Sequence, residues 1–359
     1  MAASETPAGP TVLVIRFSAL GDVAMTVPPV MDAALASPDT RFVMLTRPLP
    51  SRTFGPADLL PPNLSMLTPD LKRYKGIGGL WRLARELRRT VRPDIVVDLH
   101  DVLRSRIISL FLRLMGGVRV VRIDKGRREK RAVTRRRNKR TEPLMSGDAR
   151  YRDTFRRAGL PTPILFRGFF SDERQERRAT ADTAARIAIA PFAAHPGKEW
   201  PLACVEKVIE HFSTRPGVEI LVFGAGAREK EVIACWAARW PGTVTDMASK
   251  GLPLQEEMRE MARCDVMLSM DSANMHLASL VGLPVVSVWG ATDTRTGFLG
   301  WRQDPSDALG LAMECRPCSV FGNKPCRISP DGTRPCLAGL PPTRVISALE
   351  SHLPLNTFH

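Results

Sequence analysis

The sequence predicts an α/β protein built from two Rossmann-like, doubly wound domains that face each other across a cleft, and three observations carry this. Short β-branched apolar runs alternate with helical patterns, which implies parallel sheets covered by helices. The alternation lapses once near the middle and then resumes. The chain has 359 residues, more than the usual length of one domain.

The first series of strands is expected at 12–15, 41–45, 94–99 and 118–123, with helical patterns at 79–90 and 102–115 and after Gly21-Asp22 toward Leu35. Between residues 159 and 185 the rhythm is broken by Pro161, Pro163, Gly168 and a charged stretch. A second series follows at 186–190, 219–223, 265–269 and 284–289. The expected domains are therefore 1–170 and 171–340, the second carrying a Cys-rich loop at 315–336. Residues 341–359 are expected as a helix returning to the N-terminal domain. Open α/β sheets bind ligands beyond the carboxyl ends of their strands, so the functional residues should follow strands.

Composition narrows the function. An apolar fraction of 44% with 25% charged residues excludes a disordered or fibrous chain. No apolar run approaches the roughly 18 residues of a membrane span. The first ten residues carry no basic cluster and no long apolar core follows them, which predicts a cytoplasmic protein. The formal charge of +15 should attract polyanions. Residues 122–140 hold eleven Lys or Arg against Asp124 and Glu129, so much of the excess is local. Such a run is either a solvated loop or a binding surface.

Three loops carry the chemistry. Gly224 and Gly226 close a strand and open a helix, where backbone can approach a nucleotide. Glu229 stands where a dinucleotide fingerprint needs a small residue, which disfavours a nicotinamide or flavin enzyme. Asp271-Ser272-Ala273 follows a strand and starts a helix whose amides suit a diphosphate, with His276 one turn further in; helix capping is the plainer role for Asp271 or Ser272. Lys198, in the turn before Trp200-Pro201, is a flexible cation able to neutralise a leaving phosphate.

The segment 12–30, with Arg16-Phe17-Ser18-Ala19-Leu20-Gly21-Asp22 and Pro28, together with Lys198-Glu199-Trp200-Pro201 and the run from Asp271 to His276, resembles the motifs of family-nine glycosyltransferases, the heptosyltransferases. The resemblance implies the GT-B fold. It also implies an ADP-heptose-like donor on the C-terminal domain and a phosphorylated lipopolysaccharide core acceptor on the N-terminal one. Transfer would invert the anomeric carbon and need no catalytic metal or other cofactor. Asp22 takes the catalytic-base position, with Arg16 and Ser18 beside the acceptor, while Lys198 and Asp271 to Ala273 stabilise the departing diphosphate. Helix capping is the structural alternative for Asp22. The chain departs from the family's common Asp-Thr-Gly at Ser272 and Ala273, and Ala273 lacks glycine's freedom at positive φ. The basic run, including Arg135, Arg136 and Arg137, would meet acceptor phosphates or the anionic inner face of the inner membrane.

Cys315, Cys318, Cys326 and Cys336 cluster in a Gly- and Pro-rich stretch. Four thiolates so spaced suit structural zinc or iron, and equally suit free thiols in a reducing compartment. Two rival functions are a nucleic-acid-binding protein and a non-catalytic nucleotide-sugar binding module. Against the first, the basic run has no aromatic residue for stacking; against the second, both Asp22 and Lys198 are present.

Overall fold

The computed structural model describes residues 9–180, 185–329 and 331–353. The chain divides into two compact units, one of residues 9–126 and 147–167, the other of residues 127–146 and 168–353.

In the first unit β1 (Thr11–Ile15), α1 (Leu20–Ala24), α2 (Val27–Ala36), β2 (Arg41–Leu45), α3 (Pro48–Ser51), β3 (Leu64–Leu67), α4 (Gly76–Thr90), β4 (Ile95–Asp98), α5 (Leu103–Leu114) and β5 (Arg119–Arg122) follow in order. The chain then leaves for α6 (Arg127–Val133) of the second unit and returns in α7 (Gly147–Arg157). The strands are parallel, in order β3-β2-β1-β4-β5. Val12 to Ile15 are buried throughout, as a strand covered on both faces requires. Leu80, Leu83, Ala84 and Leu87 of α4 pack with Ile108 and Leu112 of α5 against Leu13, Ile15 and Val96 of the sheet. Cutting Leu83 to alanine there should cost about 2–5 kcal/mol. The helical stretch expected toward Leu35 is two helices, because Pro28 and Pro29 lack the N–H groups that would bond back to Ala24 and Met25.

The second unit holds α8 (Glu173–Thr180), β6 (Ala185–Ala190), α9 (Leu202–Ser213), β7 (Val218–Val222), α10 (Ala227–Arg239), β8 (Val244–Asp246), α11 (Leu254–Ala262), β9 (Val266–Met270), α12 (Ala273–Leu280), β10 (Val285–Val288), β11 (Ala308–Leu309), α13 (Pro335–Ala338) and α14 (Pro342–Glu350). Its strands are again parallel, in order β11-β10-β9-β6-β7-β8. Ile187, Ile189, Val222, Leu268 and Val288 of these strands share one core with Trp200 and Phe212.

Two expectations are corrected. The basic run, expected in the N-terminal domain, lies from Arg127 onward in the second unit, where Val133 and Leu144 are buried, the Leu144 N–H donates to Arg295 O (2.9 Å) and the Lys130 ammonium sits 4.3 Å from the Phe298 ring centre. The C-terminal helix, expected to return to the N-terminal domain, packs within the second unit. Val345, Ile346 and Leu349 of α14 join its core, and Glu350 Oε1 bonds His211 (2.9 Å) and Arg215 (2.7 Å) of the unit's own α9 and its following turn. Residues 354–359 lie outside the described part.

Each sheet reverses its order of construction once, between β1 and β4 in the first unit and between β6 and β9 in the second. The loops leaving those strands are the ones doubly wound folds use for ligands.

Candidate functional site

In the first unit the loop after β1 is tied to the loop after β4. Arg16 Nη1 donates to Leu99 O (2.7 Å), and the Phe17 N–H donates to His100 Nδ1 (3.3 Å). Arg16 is buried, and its Nη2 lies 2.8 Å from Asp22 Oδ2. The same Oδ2 accepts the Ala19 N–H (3.2 Å), so Asp22 does cap α1, from the third position of the helix. Capping and ion pairing thus coexist on one oxygen. The Asp22 side chain keeps 31% of its surface open, enough for a reacting hydroxyl to approach. Ser18 contributes its carbonyl to Arg16 Nε (3.1 Å), which orients the guanidinium.

Electrostatics sharpen this centre. Burial pulls the Arg16 guanidinium down, but Tyr151 and Asp22 outweigh it and raise it above its ordinary value. Tyr151 of α7, whose ring lies 5.9 Å from the Arg16 guanidinium carbon, is pushed up to about 12, chiefly by burial, and stays a neutral phenol. Burial first, then Arg16 and Lys125, hold the His100 imidazole at about 3. His100 is therefore neutral, and because Nδ1 accepts from Phe17 its proton sits on Nε2. Below it the buried Asp98 carboxylate accepts the N–H groups of His100 (2.9 Å) and Asp101 (2.8 Å) and the Ser105 hydroxyl (2.9 Å). His100 and Tyr151 were missed by sequence reasoning. His100 could have been found, since Leu99-His100-Asp101 directly follows an expected strand.

In the second unit Lys198 Nζ lies 2.9 Å from Asp271 Oδ2, joining the loop after β6 to the loop after β9. Gly197 holds the lysine turn in place. Its N–H donates to Gly322 O (3.1 Å), its carbonyl accepts from Ala291 N (2.8 Å), and a Cβ there would stand 2.4 Å from Gly322 O. Ser272 is the N-cap residue of α12 yet makes no capping bond; its hydroxyl lies 3.3 Å from Ser269 Oγ. Ala273 is the first residue of α12 and has no positive φ, so glycine's freedom is not needed there. His276 is buried one turn into the helix.

The glycine turn is closed by its own helix. Gly226, at φ +86°, begins α10, and Glu229 Oε2 accepts the Ala225 N–H (2.6 Å). The chain's own carboxylate thus takes the amide that a phosphate would use. Gly224 packs against Ile233, where a Cβ would come within 2.8 Å of Cδ1. A further loop, Trp289 to Arg295 after β10, borders a cavity of about 290 Å³ that Gly310 and Arg316 also line. The buried Arg316 fixes that wall by donating to the carbonyls of Gly290 (2.6 Å) and Thr292 (3.1 Å).

Among the described residues no group of three or more His, Cys, Asp or Glu side chains is arranged to hold a metal, so Cys315, Cys318, Cys326 and Cys336 do not form a ligand set as folded. They are neighbours nonetheless. Burial, reinforced by the other three thiols against the opposing pull of Arg316, pushes Cys336 up to about 11.

The sequence model of glycosyltransferase family 9 (heptosyltransferase) matches residues 80–324. Lipopolysaccharide heptosyltransferase 1 of Pseudomonas aeruginosa is 26% identical over 95% of this chain and 98% of its own length. The structure of E. coli ADP-heptose lps heptosyltransferase II shares the fold at a TM-score of 0.63, with 20% identity, over 95% of this chain and 98% of that one. The iron-containing dodecameric glycosyltransferase TibC of enterotoxigenic E. coli also shares it, at 0.54 and 15% identity, over 95% of this chain and 76% of its own.

Proposed function

The chain belongs to glycosyltransferase family 9, and we propose that it moves heptose from ADP-heptose to a lipopolysaccharide core acceptor, inverting the anomeric carbon without a catalytic metal. The second unit takes the donor and the first takes the acceptor. The acceptor oxygen forms its bond to the anomeric carbon as the bond from that carbon to the diphosphate oxygen breaks, and the acceptor proton passes to Asp22. Lys198 and the amides at the start of α12 meet the charge that develops on the diphosphate, with the Ser272 hydroxyl as a further donor.

The observation that carries this reading is the Lys198–Asp271 pair at the head of α12, 2.9 Å across and at the point where the second sheet reverses. A cation held there can meet the charge of a diphosphate, which then competes with Asp271 for it. The names of the relatives support the sugar and the nucleotide. No described helix is long and apolar enough to cross a membrane, and a lipid-borne acceptor would bring the enzyme to the cytoplasmic face of the inner membrane.

The cysteine loop is proposed as a structural metal centre for zinc or iron, its Gly322 bracing the turn that carries Lys198. Cys315, Cys318 and Cys326 stand in the loop before α13 and Cys336 on α13 itself, and TibC, of the same fold, is named as iron-containing. In the geometry described the loop would have to draw the sulfurs together.

A panel of nucleotide sugars tests the whole reading. ADP-heptose should raise the melting temperature and be consumed with an inner-core acceptor. Stabilisation by uridine or guanosine sugars alone would replace the donor and keep the family.

A further inference from the structure

Helix α5 buries Ser105, Ile108, Ser109 and Leu112 against the first sheet. Its outward side should be polar and is not. Leu103 is 75% exposed, Leu110 48% and Leu114 69%, and Ile107 is half-buried between them. At about 100° per residue these four side chains fall within about 60° of one another, opposite the buried face. Single exposed leucines are ordinary, but a stripe three turns long is not.

Helix α4 extends the stripe sideways. Trp81 meets Phe111 of α5 edge to face with ring centres 5.1 Å apart, and Trp81 is 42% and Ile77 69% exposed. Around this apolar surface the two helices carry Arg82, Arg85, Arg88, Arg89, Arg104, Arg106 and Arg113 against Glu86, with Arg106 already paired to Asp101 just before α5 (2.6 Å). On α5 the arginines flank the stripe, Arg104 on one side and Arg106 and Arg113 on the other. At the end of α4 an open hollow is lined by Arg88, Arg89 and Arg92.

We propose that the α4–α5 face of the first unit docks on an anionic lipid bilayer, the leucine stripe and Trp81 entering the headgroup boundary and the arginines pairing with lipid phosphates. The charge selects the occupant. A second copy would present the same excess of arginine and be repelled, whereas an anionic bilayer supplies both an apolar layer and negative charge. The contact is peripheral, since neither helix is long and apolar enough to span. The inference deepens the reading of a lipid-borne acceptor but stands on this surface alone, and it assigns the bilayer to elements other than the basic run at 127–140.

The test is flotation of the full chain with vesicles of phosphatidylcholine, with and without phosphatidylglycerol, in the absence of any acceptor. The wild type should bind only the anionic vesicles. Leu103→Ser/Leu110→Ser/Leu114→Ser should bind at least about tenfold more weakly. Arg85→Gln/Arg89→Gln/Arg113→Gln, which alters only surface charge, should also weaken binding, and more so at low salt. Both should bind ADP as the wild type does and keep transfer to a delipidated acceptor, so failure of the heptosyltransferase reading would leave the vesicle result standing. Unchanged flotation of the leucine variant would overturn the proposal. So would loss confined to variants of Arg135 to Arg137, or a dimer in sedimentation that the leucine variant dissociates while vesicles are ignored.

Discussion

Lys198 Nζ and Asp271 Oδ2 are 2.9 Å apart, with 16% and 4% of their side-chain surfaces exposed. An ion pair this buried constrains any use of the lysine, because removing one partner strands the other. Lys198→Ala should destabilise the protein by about 3 kcal/mol, and Asp271→Asn in the same background should return part of that. Against this control, Lys198→Ala and Ser272→Ala should each weaken ADP binding about tenfold by calorimetry. Equal ADP affinity in folded single variants would leave the pair a structural clasp.

Asp22 presents the complementary case, since its Oδ2 serves both Arg16 and the Ala19 amide. Asp22→Asn keeps the shape and removes the charge. Transfer should fall by about 10²–10⁴ in kcat with ADP affinity unchanged. Arg16→Lys cannot satisfy Ser18 O, Leu99 O and Asp22 together, and should lower kcat by misplacing the carboxylate. A folded Asp22→Asn enzyme with near-normal turnover would reduce Asp22 to a helix cap.

Much of this site was legible because it follows strands. β2 occurs at its expected limits, and the loops bearing Asp22, Lys198 and Asp271 leave the expected strands. The edge strands β3, β8 and β11 were not foreseen. Each has two to four residues, and Ser65 of β3 and Asp246 of β8 break the apolar run that identifies a buried strand. The destinations of the basic run and of α14 were also illegible, because a few buried side chains mark them and local pattern does not say which surface they meet. His100 was missed for a different reason: its importance lies in what surrounds it after folding.

That environment makes a pH prediction. The His100 imidazole titrates at about 3 in the fold, against about 6.5 in an unfolded chain. Between those values the unfolded chain binds the extra proton, so stability rises with pH there and is lost as pH falls below about 6.5. Going from pH 7 to pH 5 should cost about 2 kcal/mol at this site. His100→Gln, which can still accept the Phe17 N–H, should flatten that part of the stability–pH curve. An unchanged slope in urea titrations would mean that His100 is protonated without penalty.

For the cysteine loop, protein purified without added metal should carry about one equivalent of zinc or iron, lost in Cys318→Ser. Transfer should survive if the enzyme stays folded, because no cysteine takes part in the proposed chemistry. A metal-free, stable and active preparation would leave Cys315, Cys318, Cys326 and Cys336 as ordinary thiols.

The last prediction separates the basic run from the α4–α5 face. Arg135, Arg136 and Arg137 are exposed, in the segment between the buried Val133 and Leu144. Their neighbours are already committed, Lys130 to the Phe298 ring and Lys139 to Pro317 O (3.1 Å), which pins the segment to the second unit and leaves these three arginines facing solvent. Replacing all three with serine should leave the melting temperature and ADP affinity unchanged. Use of a phosphorylated glycolipid acceptor should weaken about tenfold at low salt. The loss should shrink as salt rises, since exposed charges are screened over about 8 Å at physiological ionic strength. Vesicle binding without acceptor should change little, because the leucine stripe of α5 supplies it. If acceptor kinetics at low salt are unaltered, the three arginines are a solvated turn and the acceptor phosphates must be met elsewhere.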